Sequence, residues 1–326
     1  VLSFSAELEQ NRLGLAKWLF ADENPLTARV AVNRYWQMIF GKGIVMTSND
    51  FGSQGALPSH PELLDWLAVT FKESGWDVKR LLRMMVMSAT YQQSSVMRDT
   101  LMKVDPQNIL LARSPSYRWP AETIRDNALA ASGLLVEKVG GKSVKPYQPD
   151  SLWIELGNFS HILLYFHQDH GDDLYRRSMY TFIRRTSPPP YMTTFDMANR
   201  DVCTVKREIT NTPLQALNLM NDPQFVEAAR VLAERAATQS GDNMDEKIAH
   251  AFRLVTSRLP DDEELDILLD LYHREEKKYT EHLRDAKALL SVGEYESNQE
   301  IPLPKLAALT MVANTMLNLD ETYTKR

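Results

Sequence analysis

The chain has 326 residues, 44% of them hydrophobic and 25% charged, which is enough to bury one large core or two smaller ones. A net charge of −6 and a pI of about 5.7 weigh against a general nucleic-acid binder, a class that is usually basic. One cysteine, Cys203, excludes an internal disulfide, and no run approaches the roughly 18 apolar residues of a membrane span.

Val1-Leu2-Ser3-Phe4 has no initiator methionine and no basic stretch followed by an apolar one. It does not read as a signal peptide, and a fragment or processed chain is expected. The first third carries helical periodicity. Leu13, Ala16, Leu19 and Phe20 mark a helix over 8–20, and Asn24-Pro25 supplies a cap and first-turn proline for one over 26–40. Gly41 and Gly43 end it. Ser59-His60-Pro61-Glu62 has the capping-box pattern, predicting a helix to Gly75 that buries Leu63, Leu64, Trp66, Leu67 and Phe71. Further helices are predicted over 77–87 and 120–135, the latter with Glu122, Arg125 and Asp126 on its polar side.

Helical periodicity fades over 136–211, which holds Gly140-Gly141, Pro146, Pro149 and Pro188-Pro189-Pro190. Tyr, Phe and Thr make 174–183 a candidate strand, and a loop-rich stretch of this length is often functional. Thr212-Pro213-Leu214-Gln215 then combines cap, first-turn proline and box partner, and Pro223 breaks or kinks that run. Helices over 225–237, 246–258, 260–290 and 303–319 follow. The expected fold is mainly α, a multi-helix bundle-like domain with an irregular, partly β central segment. Its parts are an N-terminal helical lobe (1–135), the loop-rich centre (136–211) and a C-terminal helical lobe (212–326), forming one compact unit.

Common enzyme signatures are missing. There is no Cys-x-x-Cys-His for covalent haem, no Gly-x-Ser-x-Gly and no His-Glu-x-x-His. Gly141-Lys142-Ser143 resembles the end of a phosphate loop, but Val136 stands where its first glycine belongs.

Four groupings remain. Arg176, Arg177, Arg184, Arg185, Arg200, Lys206 and Arg207 form a basic strip opposed only by Asp196 and Asp201. Guanidinium forks suit carboxylate, sulfate or phosphate, so these arginines with Tyr180 are the candidate ligand-binding set; the alternative is a set of structural arginines paired with acids of neighbouring helices. His161, His167 and His170 precede Asp172-Asp173 and are candidate metal ligands or proton carriers, with Asp169 as a supporting ligand. Asp196, Asp201 and Cys203 are candidate catalytic groups, Cys203 because Arg200 and Lys206 flank it. Asn49-Asp50-Phe51-Gly52 with Ser59-His60-Pro61 reads as turn formation or a ligand loop.

These residues carry a resemblance. Asn24-Pro25-Leu26-Thr27-Ala28-Arg29-Val30, Asn49-Asp50-Phe51-Gly52, the run from Ser59 to Leu67 and Ser88-Ala89-Thr90-Tyr91-Gln92-Gln93-Ser94-Ser95 resemble the planctomycete cytochrome-c-associated domain of unknown function. Arg176-Arg177-Ser178-Met179-Tyr180, Pro188-Pro189-Pro190, Phe195-Asp196, the run from Thr210 to Leu217 and Leu317-Asn318-Leu319-Asp320-Glu321 extend the match over nearly the whole chain. The resemblance implies the C-terminal part of an exported bacterial protein, with a sister domain before it and often a c-type cytochrome segment upstream. It implies an extracytoplasmic location, no cofactor in this chain, haem c in the parent protein, and a role in using complex, often sulfated, polysaccharides. It brings no catalytic residues.

Three functions follow as expectations. The first is a binding or interaction domain that docks on its sister domain and holds an anionic glycan through the arginine strip. The second is a catalytic domain, a cytochrome-linked oxidoreductase or glycan-active enzyme, with His161, His167, His170, Asp196 or Asp201 as acid or base. The third is a spacer that presents the cytochrome.

Overall fold

A computed structural model of the protein describes residues 3–155 and 165–325. Sixteen helices and one two-stranded sheet among them make the protein mainly α, as the periodicity implied. The chain divides into two compact units, Val1–Tyr117 with Lys325–Arg326, and Arg118–Thr324. Strands β1 (Tyr117–Arg118) and β2 (Thr324–Lys325) form the two-stranded sheet.

The first unit contains α1 (Arg12–Leu19), α2 (Leu26–Phe40), α3 (Pro61–Glu73), α4 (Val78–Val86), α5 (Ala89–Gln92) and α6 (Asp99–Val104). Helix α1 starts later than its apolar pattern suggests, because the Asn11 side chain accepts from Gly14 N at 2.9 Å and caps it there. Asn24 caps α2 through Leu26 N at 3.0 Å, as expected, and left-handed Gly41 (φ 75°) ends it. The capping box expected at Ser59 does not form. Ser59 Oγ instead donates to Ile44 O at 3.2 Å, and His60 takes the cap position without a side-chain bond. Pro61 at the first helical position still fixes the start of α3.

Leu64, Leu67 and Phe71 form the buried stripe of α3, while Trp66, expected inside, is 56% exposed. It lies off that stripe by the helical twist of about 100° per residue. Val32, Trp36 and Phe40 of α2 meet this stripe together with Leu81 and Met85 of α4. Full burial of each such side chain contributes about 1.5–3 kcal/mol. Fully buried Asn33 substitutes for backbone. It accepts from Val45 N at 2.8 Å and donates to Val45 O at 3.1 Å, which holds the turn after α2.

The second unit contains α7 (Ala121–Ser132), α8 (Leu152–Glu155), α9 (Pro190–Thr194), α10 (Pro213–Asn221), α11 (Pro223–Gln239), α12 (Met244–Thr256), α13 (Asp262–Glu281), α14 (Leu283–Leu290), α15 (Leu303–Leu317) and α16 (Asp320–Tyr323). Helix α15 is apolar on nearly every face, and it packs against α11, α13 and α14 at the centre of the core. Helix α7 belongs to this unit rather than with the N-terminal helices, because Ala121, Ile124, Ala128 and Leu129 share the core with α11.

Two local expectations change. Residues 174–183 form no strand. A 3₁₀ turn at Gly171–Leu174 leads into them and a second lies at Ser178–Tyr180, and their β pairing among the described residues is limited to the isolated bridges Val136–Arg176 and Val144–Thr181. The predicted helix over 260–290 is split at His282, whose backbone (φ −125°, ψ 63°) leaves the helical region. The break expected before Pro223 is present. Asp222 closes α10, and its side chain accepts from Gln224 N at 3.1 Å to open α11.

Candidate functional site

The irregular segment of the second unit is organised by two consecutive residues of α7. Arg125 is 1% exposed. Its guanidinium donates to Leu174 O at 2.5 Å, Arg176 O at 2.9 Å, Ser178 Oγ at 3.1 Å and Gln224 Oε1 at 2.6 Å. Asp126 accepts from Ser178 N at 2.7 Å. The 174–178 turn is thereby satisfied by side chains in place of a sheet partner.

Beyond α9 the chain turns out at Asp196, a left-handed residue (φ 59°). Asp and Asn tolerate this conformation better than other non-glycine residues. Its carboxylate accepts the backbone N–H of Thr210 at 2.8 Å, the Thr210 hydroxyl at 3.0 Å, and a charge-assisted bond from Arg118. Gln215 of α10 donates to Thr194 O at 3.0 Å and to the Thr210 hydroxyl at 3.1 Å. The two ends are thus clasped, and the loop 196–210 leaves and returns at one place. Arg118 also stacks over the Phe195 ring at 5.4 Å. Burial pulls the Arg118 guanidinium below its ordinary pKa, against the opposing pull of Asp196.

A second tie fixes the returning limb. Arg207 binds Glu122 of α7 through two bonds of 2.7 and 3.0 Å, a fork-to-carboxylate pair. Burial pushes the Glu122 carboxyl up, but the Arg207 bonds together with the charges of Arg207 and Arg200 outweigh it and hold the group below its usual range. Between the ties the loop is open to water. Asn199, Arg200, Asp201, Val202, Cys203, Thr204 and Lys206 are all exposed. Helix α10 follows at once, with Leu214, Leu217 and Met220 exposed along one face.

The arginines of the basic strip take separate roles. Arg176 is 1% exposed, donates to Lys138 O, Gly140 O and Lys142 O, and lies 4.0 Å from the Tyr180 ring. Tyr180 OH in turn accepts from Gly140 N, so Arg176 and Tyr180 are the scaffold of the Gly140-Gly141 turn. Arg184, 5% exposed, donates to Trp153 O and lies over the Trp153 ring at 5.1 Å. These two guanidinium groups are inside the protein and present no fork to a dissolved anion. Arg177 is half-exposed, 3.8 Å from Asp126, and Arg185 is exposed. Arg207 pairs with Glu122 of α7, and Arg200 is exposed on the loop.

Of the histidines, His161 lies outside the described residues. His167 is exposed, and His170 Nδ1 pairs with Glu294 Oε2 at 2.8 Å. Asp169 accepts from Lys145 N at 2.8 Å. Among the described residues no three imidazole, thiol or carboxylate groups are placed to hold a metal ion. Asp201 and Cys203 are exposed on the clasped loop, and Asp196 spends its carboxylate on the clasp.

Sequence reading missed Arg118 and did not register that Glu122 and Thr210 are tie points. Thr210 stands beside a strong helix-start signal that drew attention to Thr212. Glu122 carried a usable one, an acid three residues ahead of Arg125 and four ahead of Asp126 on a helix that must turn a polar side somewhere.

The architecture is that of a mainly α, two-unit protein that displays a side-chain-clasped loop ahead of a half-exposed helix. The family model described as "PSD1: Protein of unknown function (DUF1553)" matches residues 11–272. The chain belongs to this family. No curated protein and no solved structure gives a significant match. Among the described residues no helix is long and apolar enough to cross a membrane.

Proposed function

We propose that the chain is a binding domain of a larger extracytoplasmic, cytochrome-linked protein of the planctomycete type, and that its contact surface is the clasped loop 196–210. The observation that carries this is the Asp196–Thr210 clasp. The backbone N–H and the hydroxyl of Thr210, both donating to Asp196, and the Arg118 ion pair hold the ends of a loop whose intervening side chains are mostly left in water. A pre-ordered loop loses less entropy when it binds, which is what such bonding provides. Arg200 and Lys206 supply exposed cations for a carboxylated or sulfated glycan, and the sister domain of the parent protein is the expected docking partner.

Haem c, where present, belongs to the cytochrome segment of the parent. This chain has one cysteine, which does not fit the paired thioether attachment of that cofactor. Affinity electrophoresis of the purified chain through gels containing a sulfated polysaccharide tests the binding. Retardation that falls between about 50 and 500 mM salt is expected, since exposed charges are screened within roughly 8 Å at physiological ionic strength. Migration unchanged by the polysaccharide at low salt would remove glycan binding.

A further inference from the structure

Helix α11 buries three charged side chains, Glu227 (1% exposed), Arg230 (1%) and Glu234 (7%). Burying charge costs several kcal/mol per ion unless partners repay it. Here part of the pairing comes from one irregular segment between α14 and α15. Glu227 Oε1 accepts Tyr295 N at 2.8 Å, Arg230 donates to Tyr295 O at 2.5 Å, and Glu234 Oε1 accepts Asn298 N at 3.1 Å as well as Arg230 at 2.8 Å. Gly293, left-handed at φ 89°, crosses so close that a Cβ there would stand 2.3 Å from the Glu227 carboxyl. At the outer edge Glu294 is latched by His170 Nδ1 at 2.8 Å and Gly171 N at 2.8 Å.

None of residues 291–300 is buried, and Tyr295 is half exposed. The segment is therefore held by polar contacts, not by apolar burial. Lifting it would return three charged groups to water, and their hydration offsets much of what the broken bonds lose. Glu227 Oε2 and Arg230 Nε are buried without partners while it is shut. Segments with little buried apolar surface occupy the low-stability end of a fold.

We infer that residues 291–300 form a strap that opens locally while α11 and the core stay folded, uncovering a polar cleft lined by Glu227, Arg230, Glu234, Tyr147 and Tyr175. Both tyrosines already face Glu227, Tyr175 OH at 2.9 Å and Tyr147 OH at 3.3 Å. Native-state hydrogen exchange on the full chain tests it. The amides of Tyr295 and Asn298 are expected to exchange at least about 100-fold faster than that of Leu232 in the core of α11, with little dependence on denaturant. Exchange of all three at one rate and with one denaturant slope would overturn the strap. Glu294→Gln weakens only the outer latch, so it should speed Tyr295 and Asn298 several-fold and leave Leu232 unchanged; no change at Tyr295 and Asn298 would equally contradict it.

Discussion

Asp196 accepts both the backbone N–H and the hydroxyl of Thr210, fourteen residues further on, at 2.8 and 3.0 Å. The pair turns a stretch with no regular secondary structure into a loop with fixed ends. Removing the carboxylate also strands Arg118, whose side chain is 8% exposed. Asp196→Ala is therefore expected to cost about 2–4 kcal/mol, measured by urea unfolding, because it leaves a largely buried cation unpaired and places alanine in left-handed backbone. Trypsin should cut at Arg200, Lys206 or Arg207 faster in the variant. Unchanged stability together with unchanged cleavage would show that the clasp does not order the loop.

Arg125 holds the carbonyls of Leu174 and Arg176 from inside the core. Arg125→Met keeps much of the volume and removes the donors. It should destabilise the second unit by about 3–5 kcal/mol, since several buried acceptors lose their partners together. Thermal unfolding followed by tryptophan fluorescence reads the loss.

Burial raises the Asp222 carboxyl to about 6, against the lowering influence of its Gln224 bonds and the Arg125 charge. The folded value lies above the unfolded value of about 3.9, so the folded state prefers the protonated form. The stability this provides is complete below about pH 4 and is lost as pH rises through about 6, a loss of roughly 2–3 kcal/mol. Asparagine caps a helix as well as aspartate does. Asp222→Asn should therefore flatten the pH dependence and gain about 1–3 kcal/mol at pH 8, read from paired urea curves at pH 4 and pH 8.

Several local signals were legible in the sequence, and the side-chain ties were not. Asn24-Pro25 and Thr212-Pro213 with Gln215 announce helix starts because capping is a contact within four residues, and the structure has both. The tie points involve partners distant in sequence, such as Arg118 with Asp196 and Arg207 with Glu122, and no spacing rule connects them. Arg176 and Arg184 read either as part of a ligand-binding strip or as structural arginines paired with acids of neighbouring helices, because arginine is almost never fully buried without a partner. Their partners here are backbone carbonyls of neighbouring turns, which leave no mark in composition. The buried charges of α11 are hidden for the same reason.

Arg258 joins Glu264 and Glu321 on the surface of the second unit, at 2.6 and 2.7 Å. Its hydrogen bonds hold Glu264 at about 2, below the ordinary carboxylate value, so the stabilisation is present above about pH 4.5 and is lost as pH falls toward 2. The groups are about one-third exposed and screened by water, so Arg258→Ala should cost only about 1 kcal/mol at pH 7. Carboxyl NMR titration should show Glu264 returning to the usual range in the variant.

The role of the clasped loop in binding is tested most directly by titrating a sulfated polysaccharide into the wild-type chain and into the Arg200→Ala/Lys206→Ala variant by calorimetry at low salt. Both side chains are exposed, so the variant should fold as the wild type does. Loss of two exposed charge contacts, at about 0.2–1 kcal/mol each, predicts affinity weakened by about 2- to 30-fold. Equal affinity of the two proteins would contradict the assignment of the surface to residues 196–210.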